Sequence, residues 1–195
     1  MGAGGGPARA GQENEKPMKS ISRLETNRLS WVPVGRRSYQ LQAGDELVAT
    51  LDWARARGSL ARGEAAEGIW TFKRAGFLRP RVTVRIEGDE AELAILSLSR
   101  GRESQLEFAD GRRFTWGAAR ARRRWMVFAD KTGKTVLSLL PRTRRFQYQA
   151  DVEIGPGQRK LAELSLLALL GWYRLVLQSE EDAALAASVW TASQP

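Results

Sequence analysis

Residues 161–177 form a helix candidate that has no polar face. The segment reads LAELSLLALLGWYRLVL, so leucine, alanine, valine and aromatic residues fall on every side of a helical wheel. A helix that is apolar all round must be buried, either in a protein core or in a bilayer. The rest of the chain must therefore cover this helix, unless a membrane does.

The residues before this helix alternate between apolar and polar side chains, as strands do. Val82, Val84 and Ile86 share one side of a strand, and the residues between them are polar or charged. Gly88-Asp89 and Asp110-Gly111 are typical of tight hairpin turns. The pattern predicts about eleven antiparallel strands, each with one apolar and one polar face. Their expected starts lie near residues 29, 38, 46, 68, 80, 91, 104, 112, 123, 134 and 144.

A sheet with that many strands must close on itself or split. An eight-stranded barrel is filled by its own side chains, whereas a larger barrel has an interior to occupy. A helix is about 10–12 Å across and fits such an interior. We therefore predict a mainly β fold, a closed antiparallel barrel around the C-terminal helix. The expected boundaries are a disordered tail over 1–27, the barrel over 28–178 with its helix at 158–178, and a tail or short helix over 179–195.

Two other environments for the helix remain open at this point, a membrane span and a docking site on a partner. The segment is at the short end of the about 17–25 residues that cross a bilayer. Glu163 and Arg174 interrupt it and lie too far apart along the helix to pair with each other. Inside a barrel, each would need a partner from the wall or a position near a rim.

The composition removes the commonest catalytic groups. The chain has no His and no Cys, which excludes a Ser-His-Asp triad, a thiolate nucleophile, disulfides and most zinc sites. No pair of carboxylates carries a motif for general acid–base catalysis. Residues 131–135, KTGKT, resemble the end of a P-loop, but Phe128 stands where its first glycine belongs. We expect no enzymatic activity, no cofactor and no metal site.

Arginine dominates the charge of the chain. The net charge is +9, with 25 Arg against 6 Lys. Such a surface favours phosphate-bearing partners, although GC-rich coding also yields abundant arginine. The arginines crowd one predicted hairpin and the next connection, and we take them as candidate ligands for an anionic group. They are Arg112, Arg113, Arg120, Arg122, Arg123, Arg124, Arg142, Arg144 and Arg145.

Four segments resemble the tubby C-terminal-like superfamily, in particular its LURP-one-related and phospholipid-scramblase-like barrels. They are Gly68-Ile69-Trp70-Thr71-Phe72, the hairpin LEFADGR at 106–112, residues 125–133 and the Leu-rich helix at 164–177. The resemblance covers residues 28–178. It implies a twelve-stranded antiparallel barrel around a central hydrophobic C-terminal helix. It transfers no ligand residue, and this chain lacks the cysteine-rich palmitoylation segment and the acidic calcium loop of scramblases.

The sequence therefore supports three hypotheses about function. The first is a non-enzymatic cytoplasmic barrel, peripheral at a membrane, that binds an anionic phospholipid headgroup. The second is an orphan structural or protein-interaction domain whose basic charge is compositional. The third uses the C-terminal helix as a membrane anchor. No strong nucleic-acid signature is present, and the sequence leaves the oligomeric state open.

Overall fold

In the computed structural model of the chain, twelve antiparallel strands form a closed barrel. The structure describes residues 17–56, 58–99, 103–122, 124–145 and 147–192, with only the backbone for 189–192. The strands are β1 (Arg28–Gly35), β2 (Ser38–Ala43), β3 (Glu46–Trp53), β4 (Ala61–Ala65), β5 (Gly68–Ala75), β6 (Arg81–Ile86), β7 (Ala94–Ser97), β8 (Ser104–Phe108), β9 (Arg113–Ala118), β10 (Met126–Asp130), β11 (Thr135–Arg144) and β12 (Gln147–Ile154).

Each strand pairs with its neighbours in sequence, and β1 closes the ring by pairing with β12. The closing register sets Arg28 opposite Glu153 and Trp31 opposite Ala150. The predicted fold class, a closed antiparallel barrel with a C-terminal helix, is therefore confirmed. Closure also removes the exposed strand edges that an open sheet of this size would present.

Strand β4 is the one that the sequence pattern missed. Its residues read ARGEA and contain no β-branched or aromatic side chain, so nothing in them predicts a strand. Gly63 lies at its centre, and a Cβ there would lie 2.8 Å from Phe72 and 2.9 Å from Leu169 of the helix. The residue is small because β4 passes close to the helix inside the barrel.

Helix α1 (Leu164–Ala192) runs through the barrel and is wrapped by it. Its first part is buried on every side, with Leu167, Leu170 and Trp172 fully inaccessible. Trp172 stacks on Trp31 of β1, with ring centroids 5.9 Å apart. Tyr173 stacks on Trp53 of β3 at 5.6 Å. Because walls on different sides contact the helix, the interior is a single packed core.

The helix is longer than expected and shifted towards the C-terminus. It was expected over 158–178, followed by a tail or a short second helix, but one helix continues without a break from Leu164 to Ala192. The turn before it keeps residues 158–163 out of the helix. Helical hydrogen bonding continues outside the barrel because alanine-rich sequence after Asp182 favours it.

The helix leaves the barrel through a collar of ion pairs. Arg37 in the β1–β2 turn bonds Glu180 at 2.9 Å, and Arg74 at the end of β5 bonds Glu181. Arg174 lies 3.8 Å from the same Glu181. Burial is the main reason that the pKa of Arg174 is lowered, and Glu181 opposes that shift. These contacts fix the direction in which the helix emerges.

The expected disordered tail over 1–27 is too long. Residues 17–27 pack across the barrel opening, where a 3₁₀ turn at Ile21–Arg23 buries Ile21 and Leu24. Arg159 holds this segment by donating to the carbonyl oxygen of Leu24 at 2.6 Å. Ile21 and Leu24 are apolar residues in an otherwise polar stretch, and the sequence-based prediction overlooked them as a sign of packing. Residues 1–16 of that tail lie outside the described residues.

The strand order gives the barrel two distinct ends. We call the end where α1 begins the entry end; it holds the β2–β3, β4–β5, β6–β7, β8–β9 and β10–β11 connections. The other, the exit end, holds the β1–β2, β3–β4, β5–β6, β7–β8, β9–β10 and β11–β12 connections.

Buried phenol groups should make the barrel sensitive to alkali. Tyr148 donates to the carbonyl oxygen of Leu175 at 3.4 Å, and burial raises its pKa to about 12. In the unfolded chain a tyrosine ionises near pH 10. The neutral phenol therefore contributes stability below about pH 10 that is lost as the pH rises towards 12. We expect the urea midpoint to fall across this range, and to fall less in Tyr148→Phe. A folded chain whose tyrosines ionise near pH 10 by ultraviolet absorbance would contradict this.

Candidate anion-binding surface

Charge is divided between the two ends of the barrel. The described residues of the exit-end connections include one acidic side chain, Glu103, and many arginines: Arg36, Arg37, Arg55, Arg79, Arg120, Arg122, Arg124 and Arg145. Where the helix leaves the barrel, it adds Glu180, Glu181 and Asp182 to this end. The entry-end connections and the segment before the helix are richer in acids, with Asp45, Glu67, Glu87, Asp89, Glu90, Glu92, Asp110 and Glu163 beside the cations Arg112, Lys131, Lys134, Arg159 and Lys160. A surface polarised in this way turns its basic end towards anionic partners.

Six of the predicted arginines lie on one sector of the exit end. They come from the β9–β10 connection, the last residues of β11 and the β11–β12 turn, so neighbouring strands bring them together. All six are exposed. We call this set the arginine rim: Arg120, Arg122, Arg124, Arg142, Arg144 and Arg145. Arg123, which was also predicted, lies outside the described residues.

The other two predicted arginines do not belong to the rim. Arg112 lies in the β8–β9 turn at the entry end, where it pairs with Asp110 and with Glu163. Arg113 points from the outer wall of β9 and bonds Glu107 at 2.7 Å. The expectation that one hairpin clusters all these arginines was wrong here, because β9 separates its two ends.

Glu163 pairs with Arg112, so this buried acid has the partner from the barrel that the sequence analysis called for. It is only 8% exposed, and its carboxylate meets the guanidinium of Arg112 where the chain enters the barrel. Arg112 also lies over the ring of Phe108, with its guanidinium carbon 4.9 Å from the centroid. This arginine is therefore a structural residue that neutralises a buried acid, and it has little capacity left for a ligand.

Within the rim, two arginines have a carboxylate partner, and four have none in the part of the chain that the structure describes. Arg142 pairs with Asp151 of β12, and Arg122 lies 3.6 Å from Glu153. The rest make no ion pair with any residue of the described ranges: Arg120, Arg124, Arg144 and Arg145. Guanidinium groups without an internal partner are the ones that can bind phosphate oxygens in pairs of hydrogen bonds.

A groove of about 840 Å³ runs along the outer wall beside the rim. Residues of strands β8 to β11 line it, together with the β9–β10 and β10–β11 connections. Its cationic lining comes from the rim, from the wall and from the β10–β11 turn: Arg113, Arg120, Arg122 and Lys131. Arg113 lies at the other end of β9 from the rim, but it lines the same groove.

The P-loop-like segment is a hairpin loop. The Oδ1 atom of Asp130 accepts from the backbone N–H of Thr132 at 2.8 Å, from its hydroxyl at 2.6 Å and from the N–H of Lys134 at 3.0 Å. These bonds, the hydroxyl bond first, lower the pKa of Asp130. Strand β11 follows where a P-loop would need a helix, so the turn has no nucleotide-binding geometry.

An exposed apolar tip lies on the opposite side of the exit end. Phe77 and Leu78 in the β5–β6 connection are 98% and 89% exposed. In the ring order, β5 is opposite β11, so this tip is remote from the arginine rim. The sequence pattern gave no hint of it, because both residues are common in cores.

Comparison of the chain with family models, with curated proteins and with solved structures finds no match. Among the described residues, no helix is long and apolar enough to cross a membrane. The same residues contain no group of three or more acidic side chains that could hold a metal ion.

Proposed function

We propose that this protein is a non-enzymatic barrel domain, similar to the tubby-like group, that associates peripherally with anionic phospholipid surfaces through its arginine rim. The observation that carries the proposal is the set of exposed arginines that form no ion pair with the described residues: Arg120, Arg124, Arg144 and Arg145. Arg120 and Arg124 lie in the β9–β10 connection, and Arg144 and Arg145 lie at the neighbouring β11–β12 turn, all at the exit end of the barrel. A membrane surface rich in anionic lipid attracts each such residue by about 1 kcal/mol.

The helix dictates how the barrel approaches a membrane. Beyond Glu181 it continues for about two more turns to Ser188, the last residue with a described side chain. That projection opposes a flat approach of the exit end. The barrel instead tilts, so that the β9–β12 sector meets the lipid and the helix points alongside it.

The test is vesicle sedimentation with a rim variant, Arg120→Ser/Arg124→Ser/Arg144→Ser. Losing about 3 kcal/mol should lower binding to phosphatidylserine vesicles about a hundredfold at low salt. Wild-type binding should also fall as salt rises, because the Debye length shrinks from about 30 Å at 0.01 M to about 8 Å at 0.15 M. Neutral vesicles serve as the blank.

A matched control removes the same charge elsewhere. Arg23, Arg28 and Lys160 are exposed, lie at the entry end and form no ion pair with described residues. The variant Arg23→Ser/Arg28→Ser/Lys160→Ser should bind nearly as wild type does. If both triple variants lose binding equally, net charge alone is responsible. If wild type does not bind at low salt, the interaction-domain hypothesis becomes the better one.

A further inference from the structure

The part of helix α1 that projects beyond the collar carries no charge. Residues 183–192, which we call the projecting segment, read AALAASVWTA and contain no acidic or basic residue. The side chains of residues 183–188 are all exposed, and Leu185 is 65% exposed. A helix in contact with water usually carries charged or polar residues on its solvent side. This segment has no charged side, so its surface gains by leaving water.

The projecting segment is already helical before it meets a partner. It continues without a break from the part of α1 that the barrel surrounds, so the helix needs no new nucleus. Alanine, its commonest residue, has the highest helix propensity. At about 1.5 Å per residue, the segment extends about 15 Å along the helix axis. A partner surface therefore binds a preformed rod and does not have to order it.

The acids at the base of the projecting segment are compensated by the collar. Arg37 donates to the carboxylate of Glu180 at 2.9 Å, and Arg74 pairs with Glu181. Because these carboxylates face guanidinium groups at contact distance, their repulsion of an anionic surface is weakened. The segment is thus an uncharged rod at the same end of the barrel as the arginine rim.

We propose that the projecting segment inserts shallowly into the same anionic lipid surface that the arginine rim binds. This rests on the proposed function, in which the β9–β12 sector meets the lipid and the helix points alongside it. Because the segment is uncharged all round, whichever side the tilt turns towards the lipid is apolar. Such a surface is stabilised at the boundary between headgroups and acyl chains. The rim supplies attraction that salt screens, and the segment adds an apolar contact that salt does not screen.

The first test removes the largest described apolar side chain of the segment. Leu185→Ser should weaken sedimentation with phosphatidylserine vesicles about fivefold, at low and at high salt, because the apolar contact is lost. Leu78→Ser is the matched control, since it makes the identical change on the apolar tip opposite the rim, where the side chain is 89% exposed. It should bind as wild type does. Circular dichroism confirms that both variants fold.

The outcomes separate this contact from the rim. Unchanged binding of Leu185→Ser, while the rim variant loses binding, overturns the insertion and supports the proposed function. An equal loss in Leu185→Ser and Leu78→Ser also overturns it, because exposed leucine in general would be responsible. A dimer in solution that Leu185→Ser separates, with vesicle binding unchanged, makes a second copy the partner and overturns it. Wild type that does not bind at low salt overturns both proposals.

A second arm measures contact with lipid directly. The chain has no cysteine, so a single introduced thiol takes a fluorophore alone. The labelled variants are Ala186→Cys in the segment, Thr143→Cys in the rim sector and Ala91→Cys at the entry end, all at exposed positions. Phosphatidylserine vesicles with nitroxide-bearing lipid should quench the first two labels and not the third. Quenching at 143 but not at 186 overturns the insertion and supports the proposed function. Quenching at 186 alone supports the insertion and contradicts the rim.

Discussion

Leu167→Asp is expected to abolish soluble folding of the barrel. Leu167 is fully buried in the part of α1 that the strands surround. The carboxylate would have no water and no cationic partner, and burial of such a group costs more than about 5 kcal/mol. That is comparable to the entire stability of a typical domain, about 5–15 kcal/mol. The measurement is the soluble fraction on expression, followed by circular dichroism.

The same helix provides the control for this prediction. Leu185→Asp makes the identical change outside the barrel, where the side chain is 65% exposed. We expect it to change the free energy of unfolding by no more than about 0.5 kcal/mol. A soluble Leu167→Asp protein with the wild-type midpoint would mean that this part of the helix is not in the core.

Gly155→Ala is expected to destabilise the barrel by several kcal/mol, although it adds one methyl group. A Cβ at this position would lie 2.2 Å from the carbonyl oxygen of Thr135 and 3.0 Å from that of Val136, both in the backbone of β11. The strands cannot simply separate, because the N–H of Gly155 donates to Val136 at 2.8 Å. We expect a clear drop in the urea midpoint.

Gly35→Ala tests whether this effect is specific. At Gly35 the nearest atom to an added Cβ is the Cβ of Ser38 at 3.4 Å, an ordinary contact. Neither glycine has a positive φ angle, so backbone strain does not distinguish them. Similar midpoints for the two variants would show that the close approach at Gly155 is relieved at little cost.

The sequence predicted the barrel because its strongest signals agreed. Alternation in strands such as β6 and the hairpin turn at Asp110-Gly111 indicate antiparallel pairing. A helix that is apolar on every side must be buried, and a large barrel has an interior that such a helix can fill. Strand β4 was not predicted, because its glycine and alanines show no strand pattern. Its glycine is small because the helix packs close to it.

The binding surface was only partly predictable. Arginine density along the chain identified the rim, but it also grouped Arg112 with residues at the other end of the barrel. Sequence distance is a poor guide here, because Arg112 and Arg120 are separated by the length of β9. Glu163, the carboxylate that pairs with Arg112, is remote from it in sequence.

By itself, the sequence determined the fold class, because the period of a strand and the apolar surface of a helix are local properties that each segment carries alone. The tertiary structure decided the rest. Ring closure sends alternate connections to opposite ends, which places Arg112 and the arginine rim apart and decides which cations meet a carboxylate. The groove likewise is lined by residues from Glu103 to Ser138 on four strands, and no local pattern encodes how these strands lie side by side.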